Sequence, residues 1–299
     1  MRAVVAVAGV LWWLMAVGVD AQRQFQVYAS IVDDTGGPAS NVLPSDVRVL
    51  ENGVEAAVIS VEKVNIPVKL QLLVDNGVGL GSDNIAHLRN GVRGLLEALP
   101  LDMEVTFVVT GGQPRFLVRP TTDRAAILKG VDLLAPDRGA GKFVEALTEA
   151  AVRIERDKGN YTAVIVAFGT TAGDLNVLER DVEQLVKRLR AHPTTVHVVL
   201  LSLVGSTSTV GGQNQTNVGI GVTEITGGRF TSLAAPNRLA TLLPEIGLQV
   251  AKVHELQRQQ FKITVDRPAG ASGELGEVSI SAFGGLGVES VSFDGRVRD

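Results

Sequence analysis

Few residues of this 299-residue chain have the types and spacing that chemistry requires. The first is Asp75, which follows the apolar run Val68 to Val74 and opens a glycine-rich turn, Asn76-Gly77-Val78-Gly79-Leu80-Gly81-Ser82. Glycines between a strand and a helix bring backbone amides against a pyrophosphate, but a dinucleotide site needs G-x-G-x-x-G and an acidic residue at the end of the next strand. Here the spacing is G-x-G-x-G, and the next strand, Glu104 to Thr110, runs into Gly111-Gly112. A second candidate, Gly139-Ala140-Gly141-Lys142, carries the tail of a P-loop, with Pro136 where the first Gly belongs and Phe143 where the Mg²⁺-binding hydroxyl belongs. Lys142 is therefore read as a solvated residue of a first helical turn. A serine nucleophile needs a base, and the bases on offer are His87, His192, His197 and His254. No G-x-S-x-G elbow accompanies them: Gly81-Ser82 continues into Asp83-Asn84, and Ser206 lies in a Ser/Thr-rich stretch. The absence of Cys excludes thiolate metal sites, iron–sulfur clusters, disulfides and a cysteine nucleophile. With 28 basic against 32 acidic side chains, net −4, nothing favours phosphate neutralisation, so nucleic acid is not expected as a partner. The chain is read as non-enzymatic, with no small-molecule cofactor.

The elements that would position these residues fall into three stretches. Residues 22–66 alternate apolar and polar positions between turn signals, as in Val47-Arg48-Val49-Leu50 and Ala57-Val58-Ile59-Ser60-Val61. That is the pattern of antiparallel hairpins, with Asn52-Gly53 supplying a tight turn. Residues 67–257 alternate strands with amphipathic helices. Val68 to Val74, Glu104 to Thr110, Thr162 to Phe168 and Thr195 to Leu203 read as strands, the last two apolar enough to be buried on both faces. Helices are expected after the first strand (Ile85, Leu88, Val92, Leu95, Leu96), over Thr122 to Leu134 and Phe143 to Ile154, from Leu175 to Leu189 with Asp174 as cap, and from Leu239 to Val253. Such alternation predicts an α/β class, a doubly wound, mostly parallel sheet with helices on both faces. Residues 258–299 return to antiparallel alternation. Neither terminal segment has strands enough for a core of its own, so the two are expected to pack together beside the α/β domain.

Residues 1–21 carry Arg2, an apolar run from Ala3 to Val19 and a small residue, Ala21, before Gln22. This is the layout of a secretory signal peptide. Cleavage would leave an exported chain without Trp, since Trp12 and Trp13 both lie there; an uncleaved segment would be its one membrane contact.

The strand ending in Asp75, the Gly-rich entry GAGKFVEAL and the turn VIVAFGTTAGD, with VDDTGGPASNVLPSDVRVLENGVEAAVISVE, EITGGRF and the strand from Phe261, resemble the von Willebrand factor A-type domain of bacterial secreted proteins. The resemblance implies that fold over most of the chain and a protein-binding, adhesion-type role. It also implies a place for a metal-ion-dependent adhesion site: a D-x-S-x-S motif, a Thr from a second loop and an Asp from a third. On this sequence Asp75 matches the first Asp, Gly77 and Gly79 stand at the two Ser positions, Gly141 at the Thr and Phe168 at the last Asp. A hard cation needs several oxygens near octahedral geometry, so no metal is expected. The remaining candidates for binding are loop residues at the strand ends: Asp75, Asn76, Gly77, Gly79, Gly141, Phe168, Thr170, Thr171 and Asp174. The polar run 205–217 reads as a connector or a recognition loop. The expectation is an exported or cell-envelope protein-interaction module that has lost its ion. The alternatives are an envelope assembly component that uses its β segments and, from a different class, a hydrolase or nucleotide-dependent enzyme.

Overall fold

The computed structural model describes residues 24–172, 178–202 and 210–293. The signal-peptide segment and Asp174 lie outside them. The central strand of the α/β part is β4 (Val68–Val74), flanked in the order β6-β5-β4-β7-β8-β9 by β5 (Glu104–Val109), β6 (Arg115–Thr121), β7 (Thr162–Thr170), β8 (Thr194–Leu201) and β9 (Phe230–Leu233). All neighbours are parallel except β6, which folds back antiparallel on β5 to form an edge. The sequence reading contained no such strand. Its pattern is interrupted by Pro120 and by register shifts against β5, and four of its seven residues are exposed. That suits an edge, where a missing N–H is tolerated.

Helices cover both faces. Strand β7 sends Val164, Val166 and Phe168 to one face and Ala163, Ile165 and Ala167 to the other. The first face packs against α1 (Ile85–Ala98), α2 (Arg124–Leu133) and α6 (Leu239–Gln257). The second packs against α3 (Phe143–Arg156), α4 (Glu179–Arg190) and α5 (Val210–Thr226). Asp123 caps α2 by accepting from the amides of Ala125 and Ala126. The polar run expected to be loop is helical from Val210 onward, a correction. Its glycines permit the close packing of α5 on the sheet: a Cβ on Gly219 would lie 2.9 Å from the Phe230 ring and 3.1 Å from Val198.

The remaining strands form a second, antiparallel sheet, ordered β11-β2-β3-β10-β1-β12. They are β1 (Gln24–Val32), β2 (Val47–Glu51), β3 (Val54–Val64), β10 (Gln260–Asp266), β11 (Val278–Ala282) and β12 (Gly287–Phe293). Asn52 and Gly53 take φ of 50° and 77° in the hairpin between β2 and β3. Strand β10, from the far end of the chain, lies between β1 and β3. Only residues 283–286 separate β11 from β12, although the two terminate the strand order on opposite sides. The sheet therefore curls around one core, built from Phe25, Val27, Ile31, Val49, Phe261 and Ile263 among others.

Candidate functional site

In an open α/β sheet, ligands bind beyond the carboxyl ends of the strands where the strand order reverses. Here that point lies between β4 and β7, because the chain passes from β4 to β5 on one side and returns with β7 on the other. Asp75 follows β4 and Thr170 ends β7. The Asp75 carboxylate accepts from the Gly77 amide at 2.8 Å through Oδ1, and from the Thr170 hydroxyl at 2.9 Å and amide at 3.2 Å through Oδ2. Its own amide donates to the Phe168 carbonyl. Thr170 therefore fills the crevice from the β7 side.

Phe168 does not face Asp75. Its ring lies in the core between the sheet and the helices, in the buried cluster that includes Val74, Leu80 and Leu201. Thr170, two residues on and on the same face of β7, lies past the core at the end of the strand and reaches Asp75 instead.

The three glycines have no room for side chains. A Cβ on Gly141 would lie 2.1 Å from Oδ2 of Asp75, one on Gly77 2.4 Å from the Gly139 carbonyl oxygen, and one on Gly79 2.2 Å from the Thr170 hydroxyl. The loops have closed onto the carboxylate, so the residues present do not fit a Mg²⁺ or Mn²⁺ ion. A hard cation would need the volume and the lone pairs that Thr170, Gly141 and Gly77 already occupy.

A second knot fixes the neighbouring loop. Asn76 donates from Nδ2 to the Ala135 carbonyl at 2.6 Å, and its Oδ1 accepts from the Gly111 amide at 3.1 Å. Its carbonyl accepts from the Asp137 amide at 2.7 Å. Asp137 and Arg115, which the sequence reading passed over, complete it. Asp137 Oδ1 accepts from the Gly139 amide, and Oδ2 pairs with the Arg115 guanidinium at 2.8 Å. These contacts, the Gly139 amide foremost, hold the Asp137 carboxyl below the usual range. The Asp-x-Gly spacing in Asp137-Arg138-Gly139 was the available signal.

All eight described candidates, Asp75, Asn76, Gly77, Gly79, Gly141, Phe168, Thr170 and Thr171, are buried. The exposed rim of these loops is formed by Val78, Arg138, Ala140 and Ala172. The histidines of the fold's interior lie elsewhere. His197 in β8 accepts from the Arg229 amide at Nδ1, and burial, with the Arg229 charge second, holds its pKa down to about 4. His254 in α6 lies 3.4 Å from Asp102, and burial lowers its pKa in spite of that carboxylate.

No family sequence model matches the chain, and no curated protein matches it in sequence. Solved structures do. A von Willebrand factor type A protein from Catenulispora acidiphila aligns over 92% of this chain and 74% of its own, at 11% identity and a TM-score of 0.52. BatB from Bacteroides thetaiotaomicron aligns over 63% of this chain and 98% of its own, at 12% identity and 0.45. Manganese-loaded TRAP protein from Plasmodium vivax aligns over 78% and 96%, at 18% identity and 0.46. The depth of the first alignment, with the strand order and the crevice at β4 and β7, identifies the chain's architecture as the von Willebrand factor A-type fold.

Proposed function

We propose that this chain is an exported, non-catalytic protein-interaction module of adhesion type that has lost its metal site and binds through the rim of the loops at the C-terminal edge of its parallel sheet. The observation that carries this reading is the filled crevice: Asp75, the one ligand matched by type, spends its carboxylate on Thr170 and Gly77. The buried loop residues act as a rigid support, and the exposed side chains of Val78 and Arg138 are the contacts. Export rests on the apolar N-terminal segment. No helix among the described residues is long and apolar enough to cross a membrane.

Two measurements test it. Millimolar Mg²⁺ or Mn²⁺ should leave the melting temperature unchanged; a rise that Asp75→Ala abolishes would overturn the loss of the metal site. A photo-crosslinker at Val78 should capture a protein in the native compartment. Capture from Ile59 of β3 and not from Val78 would favour the envelope-assembly reading, which the exposed Val54 and Ile59 of β3 and Phe283 in the connection after β11 support.

A further inference from the structure

Helices α4 and α5, which follow adjacent strands, leave a groove of about 490 Å³ between them. Its apolar walls are the half-buried Val182 and Val186 on α4, the buried Val218 and Val222 of α5 form its floor, and Leu185 and Leu189 of α4 turn away into the core. At Gly221 the wall is open, for a Cβ there would meet nothing within 4 Å. Asn217 lies on the rim, exposed. The charge on the lining is a single carboxylate, Glu179, at the first turn of α4. The adjacent cation, Arg180, pairs with Asp181 at 3.7 Å. The α5 wall brings no cation, since Glu224 is the one charged residue between Val210 and Thr226.

We propose that this groove docks an amphipathic helix of a partner protein, its apolar stripe on the valines and a Lys or Arg beside Glu179. The proposal rests on the protein-interaction reading and names the kind of segment bound. A third helix fits because lining residues at i, i+3 and i+7 on α4 (Glu179, Val182, Val186) repeat at the helical pitch. A docked helix presents its anchors at the same pitch. Charge complementarity sets the sign: a carboxylate beside uncharged walls attracts a cation and repels an acid, which selects the partner more than it tightens it. The Asn217 amide can donate to and accept from the polar flank of such a helix.

The test uses two labelled synthetic helices that share one Leu/Ala stripe and differ in carrying Lys or Glu on the polar face. Fluorescence anisotropy with the mature chain at low salt should show the Lys helix binding about tenfold or more tightly than the Glu helix. Glu179→Lys should reverse that preference, which a general attraction to a chain of net −4 would not do. Gly221→Trp, whose ring would occupy the open wall, should abolish binding of both; if it does not fold, Val186→Arg obstructs the same groove from α4. Equal affinity for the two helices, or binding unaffected by the obstructing substitution, overturns the proposal. Capture from Val78 tests the loop rim separately. Capture that persists in a chain that binds neither helix refutes the groove alone. Helix binding that obeys Glu179→Lys without capture refutes the rim alone.

Discussion

Truncating Asp75 would strand three donors, the Gly77 amide and the amide and hydroxyl of Thr170, in a region closed to water. A buried donor without a partner costs about 1–3 kcal/mol, so Asp75→Ala should lower unfolding stability by about 3 kcal/mol, read from a denaturant midpoint. Gly141→Ala pushes a methyl group into the same carboxylate and should cost about 1–3 kcal/mol. In the Asp75→Ala background that cost should shrink, because the obstructing atoms are gone; a double-mutant cycle with no coupling would contradict the close approach. His197 gives a pH dependence of known sign. Its folded pKa of about 4 lies below the unfolded value near 6.5, so the neutral form is favoured in the fold. Stability is complete above about pH 6.5 and falls as pH drops toward 4, by about 3 kcal/mol at most. His197→Gln should flatten that part of the curve relative to the parent chain. The match of Asp75 was legible because one carboxylate after an apolar strand is a local pattern. That Thr170 rather than Phe168 reaches it was not, since the two share a face of β7 and the choice depends on the register of β7 against β4, which sets Phe168 beside Val74 and which neither strand's sequence states.

Strands β4, β5, β7 and β8 and helices α1, α3 and α6 follow from hydrophobic period alone, but β6 and α5 show where that signal fails. Helix α5 carries Gly211, Gly212, Gly219 and Gly221 and five residues with short polar side chains, Asn214, Thr216, Asn217, Thr223 and Thr226, so its intrinsic helical preference is low. Its existence depends on packing: Val218 and Val222 are buried against the sheet, and Gly219 lets the helix axis approach Phe230 and Val198. Two glycines a half-turn apart should therefore respond oppositely to alanine. Gly221→Ala enters open space and restores helix propensity, worth about 0.5–1 kcal/mol of added stability. Gly219→Ala meets the Phe230 ring and should destabilise by about 1 kcal/mol or more, since the helix must move off the strand. Thermal melts of the two variants decide it. A shift of the same sign in both would mean that the contact of α5 with β8 and β9 is looser than the structure has it.

At the scale of the whole molecule, the strand order of the antiparallel sheet fixes which pieces can fold alone. Strand β10 hydrogen-bonds β1 on one side and β3 on the other, so β1 joins the β2–β3 hairpin only through segments that follow α6. Arg267, just past β10, adds a buried ion pair with Glu51 and donates to the Gly273 and Glu274 carbonyls. Removing one partner of such a pair leaves an uncompensated charge, which is far more costly than the pair is stabilising. The need for the two termini to combine was legible from their strand counts, but the interleaving was not, because both partners of β1 lie more than two hundred residues away: Val27 pairs with Ile263 on one side and Phe293 on the other. The α/β part, by contrast, carries both of its core faces between Val68 and Val250. A fragment of residues 67–257 should therefore unfold cooperatively on its own. A fragment of residues 22–66 should show no cooperative transition, since without β10 it has no neighbour for β1 and an open edge along β3. Circular dichroism melts of both fragments provide the measurement. A cooperative transition in residues 22–66 alone would mean that β1 finds another partner among those residues and that the two termini are separate units.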